Sequence, residues 1–142
     1  MNSIKEIQEE IVEEFAMFDE WMDKYEHIIE LGKELPLIEE QYKTDENLIK
    51  GCQSRVWLHA EMQDDNIVFT ADSDAIITKG IIALMIRTFS NQTPKDIAEA
   101  NVDFIDKIGL KEHLSPTRSN GLLSMVKQIK MYAIAFSVQS NS

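Results

Sequence analysis

The chemistry available to this chain narrows quickly to one side chain. Among 142 residues there is a single cysteine, Cys52, in the stretch LIKGCQSRVWL that runs from Leu48 to Leu58. A thiol does nucleophilic work as the thiolate, which nearby cations, backbone N–H groups and helix N-termini favour. Lys50 and Arg55 flank Cys52, and Arg118 lies at the start of the last helical pattern, so the three cations predict an electropositive setting. Gly51 permits backbone angles that other residues avoid, which suits a loop that must present or withdraw a side chain. The residues alone weigh a reactive and a structural cysteine evenly, because free cysteine is also a small buried hydrophobe and charged flanks are common in surface loops.

A lone thiol excludes an internal disulfide, and it cannot supply a four-thiolate zinc or iron–sulfur site. The three histidines are His27 in an acidic helical segment, His59 on the outward face of a strand pattern and His113 before the last helix. Cys52, His113 and Asp74 could meet in space as a hydrolase triad, but no local signature supports one and solvated histidines are the simpler reading. Neither a metal-binding nor a cofactor-binding motif is evident.

The formal net charge is −11, which argues against nucleic-acid and anionic-membrane partners, since both need a basic face. The charge is uneven: Met1 to Glu46 holds 15 acidic and 4 basic residues, and Asn47 to Ser142 holds 10 of each. The acidic part reads as a solvated or partner-steering surface. No apolar run approaches the roughly 20 residues that span a bilayer, and the start MNSIKEIQEEIVEEF has no apolar signal core. A soluble cytoplasmic protein with a reduced thiol is expected.

The elements that must position Cys52 follow from periodicity. Ser3 and Glu6 make a capping box, and Ile4, Ile7, Ile11, Phe15, Phe18, Met22, Tyr25 and Ile29 recur at helical spacing, predicting two helices joined near Asp19. Pro36 disfavours helix at Leu35. Val56, Leu58, Ala60 and Met62 alternate with polar and aromatic positions, as do Ile67, Phe69 and Ala71 beyond the turn at Asp64 to Asn66, predicting an antiparallel hairpin. Leu48 and Ile49 suggest a short further strand, which leaves Cys52 on the loop that enters the hairpin. Asp72, Ser73 and Asp74 are suited to capping the apolar helix that follows. Gly80 within that helix suggests either a tolerated glycine or close approach of another backbone, with the Cys52 loop as one candidate. Thr93 and Pro94 start a short helix. VDFIDKIGLKEHL is another, stopped at Gly109. The last helix starts near Ser115 to Ser119, carries Leu122, Met125, Ile129, Ala133 and Phe136 on one face, and frays over VQSNS. Residues 1–142 read as a single domain of α+β class, with a small antiparallel sheet packed against several helices.

Three blocks in order, GCQSRVWL, ADSDAIITKGIIALMI and LSPTRSNGLLSMVKQI, together with KYEHIIELGKELPLI, resemble the SufE family of sulfur-acceptor proteins, which includes CsdE. The resemblance covers roughly residues 25–133 and implies a fold similar to that of IscU-type scaffolds. It implies a partner of a SufS-type cysteine desulfurase, an enzyme that uses pyridoxal phosphate, and itself no cofactor or metal. In this reading Cys52 accepts persulfide sulfur and passes it to an iron–sulfur scaffold complex. Gly51, Gln53 and Ser54 shape its loop, Arg118 matches the arginine of the SPxRS block, and Asp74 matches the SDA block, where a plain helix cap is an equal reading. The transfer is thiol–disulfide exchange in form and needs little beyond an accessible, partly ionised thiol. That makes the chain a sulfur-transfer partner, a monomer or weak homodimer, rather than a stand-alone enzyme. The expected state of the free protein has Cys52 packed inward. The alternatives are a CsdE-like carrier for another thiolation pathway and a non-catalytic adaptor with a structural cysteine.

Overall fold

The structure, a computed structural model that describes residues 2–140, is α+β as the element pattern predicts. Its helices are α1 (Ile4–Ala16), α2 (Trp21–Gly32), α3 (Ile76–Phe89), α4 (Pro94–Glu99), α5 (Asp103–Lys107), α6 (Leu110–His113) and α7 (Pro116–Ser140). The strands β1 (Val56–Gln63) and β2 (Asn66–Ser73) form an antiparallel hairpin. The capping box of α1 is present: the Glu6 N–H donates to Ser3 Oγ at 3.1 Å and the Ser3 N–H donates back to the Glu6 carboxylate at 3.2 Å.

The hairpin pairs Val56 with Ser73 and runs to Gln63 opposite Asn66, with Asp64 in the left-handed region at φ 57°. Val56, Leu58, Ile67, Phe69 and Ala71 are fully buried on its inner face. A two-stranded sheet is marginal alone, and here its edges are covered. Ala71 exchanges hydrogen bonds with Pro36 and Ile38, Ile67 with Asn91 and Gln92, and Ile49 donates to Val56 at 2.8 Å. Leu48 and Ile49 therefore meet β1 through one isolated bridge, Leu48 with Trp57, and not as the expected strand. On the outer face the Tyr42 ring stacks on His59 at 3.8 Å, and Lys43 lies over Trp57 while pairing with Asp72 at 2.8 Å.

Helix α3 is the central element, buried along most of its length from Ile77 to Phe89, which is why its sequence is apolar almost all round. Ile76 is the exception, 69% exposed. Its start also departs from expectation: the N-cap is Ala75, with no side-chain cap. The three candidate acceptors are engaged before the helix begins. Asp72 accepts from the Ser73 N–H, Ser73 Oγ from the Ala75 N–H, and Asp74 from the Arg55 N–H.

The backbone that approaches Gly80 belongs to α2 and not to the Cys52 loop: a Cβ there would collide with the Ile28 carbonyl, and one on Gly32 would lie 3.0 Å from the Gly80 nitrogen. This contact sets the rotation of α2. Ile28 and Gly32 face the core, whereas Met22, expected there from its spacing, is 61% exposed. Above it, Glu14 of α1 receives two hydrogen bonds from the Arg87 guanidinium of α3 and sits 2.7 Å from His27 Nε2 of α2, tying three helices together.

Gly109 at φ 84° separates α5 from α6. Leu122, Met125, Ile129 and Ala133 of α7 are buried, as expected. The Lys130 ammonium reaches the carbonyls of Ile97, Ala98 and Ala100 at the end of α4. The fraying expected over VQSNS is not seen through Ser140, where α7 is still helical; Asn141 and Ser142 lie outside the described residues. None of the described helices is long and apolar enough to cross a membrane.

Candidate functional site

Three elements converge on Cys52: the loop from Lys50 to Arg55, the first turns of α3, and the first turns of α7. Gly51 adopts φ +95°, a backbone that disfavours side chains, and a Cβ there would run into the Ser124 hydroxyl of α7. The bond from the Ile49 N–H to the Val56 carbonyl joins the two ends of the loop, and Asp74 holds its C-terminal end. The Asp74 carboxylate accepts from the Arg55 N–H at 3.1 Å, and the Asp74 N–H donates to the Arg55 carbonyl at 3.3 Å. Asp74 therefore does not cap α3; it clips the loop to the strand-to-helix corner.

Cys52 is half-buried, and its Sγ–H donates to the Gly121 carbonyl at 3.5 Å. Gly121 brings α7 this close: a Cβ there would touch Cys52 Sγ at 3.5 Å. Beside the thiol lies a cavity of about 70 Å³ bordered by Gln53, Ser54, Thr78, Thr117, Arg118 and Met125, room for more than one water-sized group. The thiol thus faces a small, partly open cavity.

Burial pushes the Cys52 thiol above its usual range. Lys50 and Arg55 are exposed and do not border the cavity, so the electropositive setting expected from neighbours in sequence is not formed in the free protein. Charge separation next to a cation favours the thiolate, whereas loss of hydration disfavours it, and at Cys52 the second effect stands alone. Arg118 is the cation that the fold does bring to the cavity. Its backbone N–H is held by Ser115 Oγ at 3.3 Å, and its side chain is exposed.

The hydrolase arrangement is not assembled. His113 stacks on Trp21 at 4.7 Å and does not border the cavity, and Asp74 is engaged by Arg55. Among the described residues no three His, Cys, Asp or Glu side chains converge as a metal site. A wider groove of about 600 Å³ lies between α1 and the α4–α5 segment, but among the described residues neither a cysteine nor a histidine lines it.

Of the residues singled out from sequence, Cys52, Gln53, Ser54 and Arg118 border one cavity, while Gly51 and Asp74 hold the loop from outside it. Sequence reasoning missed Thr78, Thr117, Gly121, Ser124 and Met125. Two of these carry a signal in retrospect. Gly121 is a glycine inside a helix, where it costs about 1 kcal/mol relative to alanine, and Thr78 interrupts an apolar helical face.

The family model described as "SufE: Fe-S metabolism associated domain" matches residues 9–133. An uncharacterised SufE-like protein of Rhizobium meliloti (strain 1021) is 43% identical over 130 residues, covering 88% of this chain and 93% of that protein. A second, from Rhizobium etli, is 42% identical over 127 residues, 86% of each chain. SufE-like protein 1, chloroplastic/mitochondrial, of Arabidopsis thaliana is 39% identical over 132 residues, covering 92% of this chain and 36% of that longer protein. The solution structure of a hypothetical protein from Thermus thermophilus shares the fold, with a TM-score of 0.76 at 16% identity over 91% of this chain and 94% of that one. With a family match across most of its length and relatives at this identity, the chain belongs to the SufE family of iron–sulfur metabolism associated domains.

Proposed function

We propose that this protein accepts sulfur from a SufS-type cysteine desulfurase on Cys52 and delivers it to an iron–sulfur scaffold complex, stimulating the desulfurase by clearing its persulfide. The observation that carries the reading is the placement of the lone thiol, on a glycine-preceded loop over a small cavity, in a chain of this family. In the transfer the Cys52 thiolate attacks the terminal sulfur of the donor persulfide. A new S–S bond forms at Cys52, the donor S–S bond breaks, and the donor cysteine leaves with the electron pair as thiolate. No net oxidation occurs, and the proton lost by Cys52 passes to solvent or to the donor.

The inward thiol fits a two-state loop. In the free protein burial keeps Cys52 protonated and donating to Gly121; docking swings the loop out, restores hydration and brings Arg118 to the thiolate. Gly51, Gln53 and Ser54 form the moving segment and Asp74 the clip that releases it. The pyridoxal phosphate of the reaction belongs to the desulfurase. The protein works in the cytoplasm, as a monomer or weak homodimer.

The test is incubation of the purified protein with a SufS-type desulfurase and cysteine, without reductant, with intact mass measured beside Cys52→Ser. Sulfur gained by the wild type alone supports the reading. No gain with a desulfurase that is active and bound sinks it, and desulfurase stimulation surviving in Cys52→Ser would make the protein an adaptor.

A further inference from the structure

The cavity beside Cys52 contains a polar group that the resting thiol does not use. Helix α3 buries two threonines, and they are satisfied differently. Thr88 donates to the Leu84 carbonyl one turn earlier at 2.9 Å, the usual way for a helical threonine to pair its hydroxyl. Thr78, only 8% exposed, makes no such bond: among the described residues its hydroxyl has no hydrogen-bond partner. No fully enclosed side-chain oxygen or nitrogen among the described residues lacks a partner, so the residual exposure of Thr78 lies at its hydroxyl, and the space it borders is the cavity. It stands in the first turn of α3, where the residue one turn earlier, Asp74, precedes the helix and is folded back onto Arg55. This hydroxyl therefore opens on the cavity and is free to donate to a group that enters it.

The acceptor side shows what could enter. In the resting state Cys52 Sγ–H gives its proton to the Gly121 carbonyl, a pairing that suits a neutral thiol. A persulfide ionises more readily than the thiol it derives from, and its terminal sulfur, once deprotonated, has no proton to give a carbonyl. That sulfur is repelled by Gly121 and needs a donor. Arg118 supplies charge but is exposed, so it acts at the mouth of the cavity. Thr78 places a hydroxyl donor on the wall.

The geometry points to Thr78 as the hydrogen-bond donor that receives the terminal sulfur of a Cys52 persulfide inside this cavity and holds it in its ionised form. The inference rests on the sulfur-acceptor reading of Cys52. In this state the sulfur is bonded covalently to Sγ, hydrogen-bonded to Thr78 Oγ, and shielded by Met125 and Ile81. Thr78 thereby sets the lifetime of the bound sulfur rather than the chemistry of its arrival.

The test installs the persulfide with inorganic polysulfide, so that no desulfurase is needed, and follows its loss to dithiothreitol by intact mass across a pH series. In that loss the dithiothreitol thiolate takes the terminal sulfur and Cys52 leaves as thiolate. Thr78→Val keeps the shape and removes the donor; Thr78→Ser keeps the donor; Thr78→Ala serves as a second donor-free variant. Both donor-free variants are expected to lose sulfur roughly tenfold faster than wild type, the scale of one hydrogen bond to a charged group. Their pH midpoint should move upward while the serine variant stays near wild type. Equal lifetimes and midpoints in wild type and Thr78→Val overturn the inference, as does a serine variant that behaves like valine or a wild type that takes no sulfur from polysulfide. Failure of the parent reading is seen separately, as a wild type that is loaded by polysulfide but not by the desulfurase.

Discussion

Gly80 and Gly51 both sit where a Cβ would collide, but with different kinds of atoms. At Gly80 the obstacle is the Ile28 backbone carbonyl of α2, inside the helix pair that forms the centre of the molecule. At Gly51 it is the Ser124 side chain, at the edge of a loop held by a few single hydrogen bonds. Backbone meeting backbone fixes a spacing that nothing can relieve without moving a helix. A side chain can rotate, and a loop clipped at Asp74 and Cys52 can lift while the core beneath it stays packed. One glycine therefore fixes the spacing of two helices, and the other permits the movement proposed for the loop that carries Cys52.

The largest effect is expected from Gly80→Ala. Overpacking against a fixed carbonyl is expected to cost about 3 kcal/mol, read as a lower urea midpoint at unchanged slope. A loss well under about 1 kcal/mol would mean that α2 yields as readily as the loop.

Gly51→Ala is expected to cost less, about 1–2 kcal/mol for a left-handed backbone at a residue with a side chain. Its signature is local: labelling of Cys52 by a bulky thiol reagent should accelerate, and adding Ser124→Ala should return part of the labelling rate but not the backbone cost. Acceleration without a change in the urea midpoint would show the loop to be looser than its hydrogen bonds imply.

The two regions should also part company with pH. Burial alone would raise the Glu14 carboxyl, but hydrogen bonds from Arg87 and His27 outweigh it and hold its pKa below the usual range. That stabilisation is present above the unfolded-state pKa of Glu14 and is lost as pH falls through the lower folded value. Glu14→Gln should remove about 1 kcal/mol at neutral pH and flatten the acid limb of the stability curve. Cys52 is shifted the other way by burial. A small alkylating reagent should therefore label it more slowly than a free cysteine at neutral pH, with a rate that climbs until pH passes the usual thiol range. A labelling midpoint at or below that of free cysteine would place a cation at the thiol after all.

The smallest effect is expected at Gly121. A Cβ on Gly121 would touch Cys52 only at ordinary contact distance, and the helix gains propensity. Gly121→Ala should thus be neutral or stabilising by up to about 1 kcal/mol. A large loss there would mean that α7 and the Cys52 loop are locked as tightly as α2 and α3.

By itself the sequence determined the fold class and most of the elements, because these depend on residues three or four apart along a helix or two apart along a strand. The capping box at Ser3, the hairpin at Asp64, Thr93 before Pro94 and the buried stripe of α7 are all local statements. It also marked Cys52 as the one thiol and Gly51 as the residue before it with left-handed freedom. Only the tertiary structure decided what surrounds that thiol. Lys50 and Arg55, two and three residues away, point to solvent, whereas Thr78 and Gly121, 26 and 69 residues away, border it. The register of α2 was likewise invisible, since its apolar spacing fits two rotations and the choice falls to the glycine on a different helix. Environment is set by packing between distant segments, and burial at Cys52 reverses the sign of the pKa shift that its charged neighbours suggest.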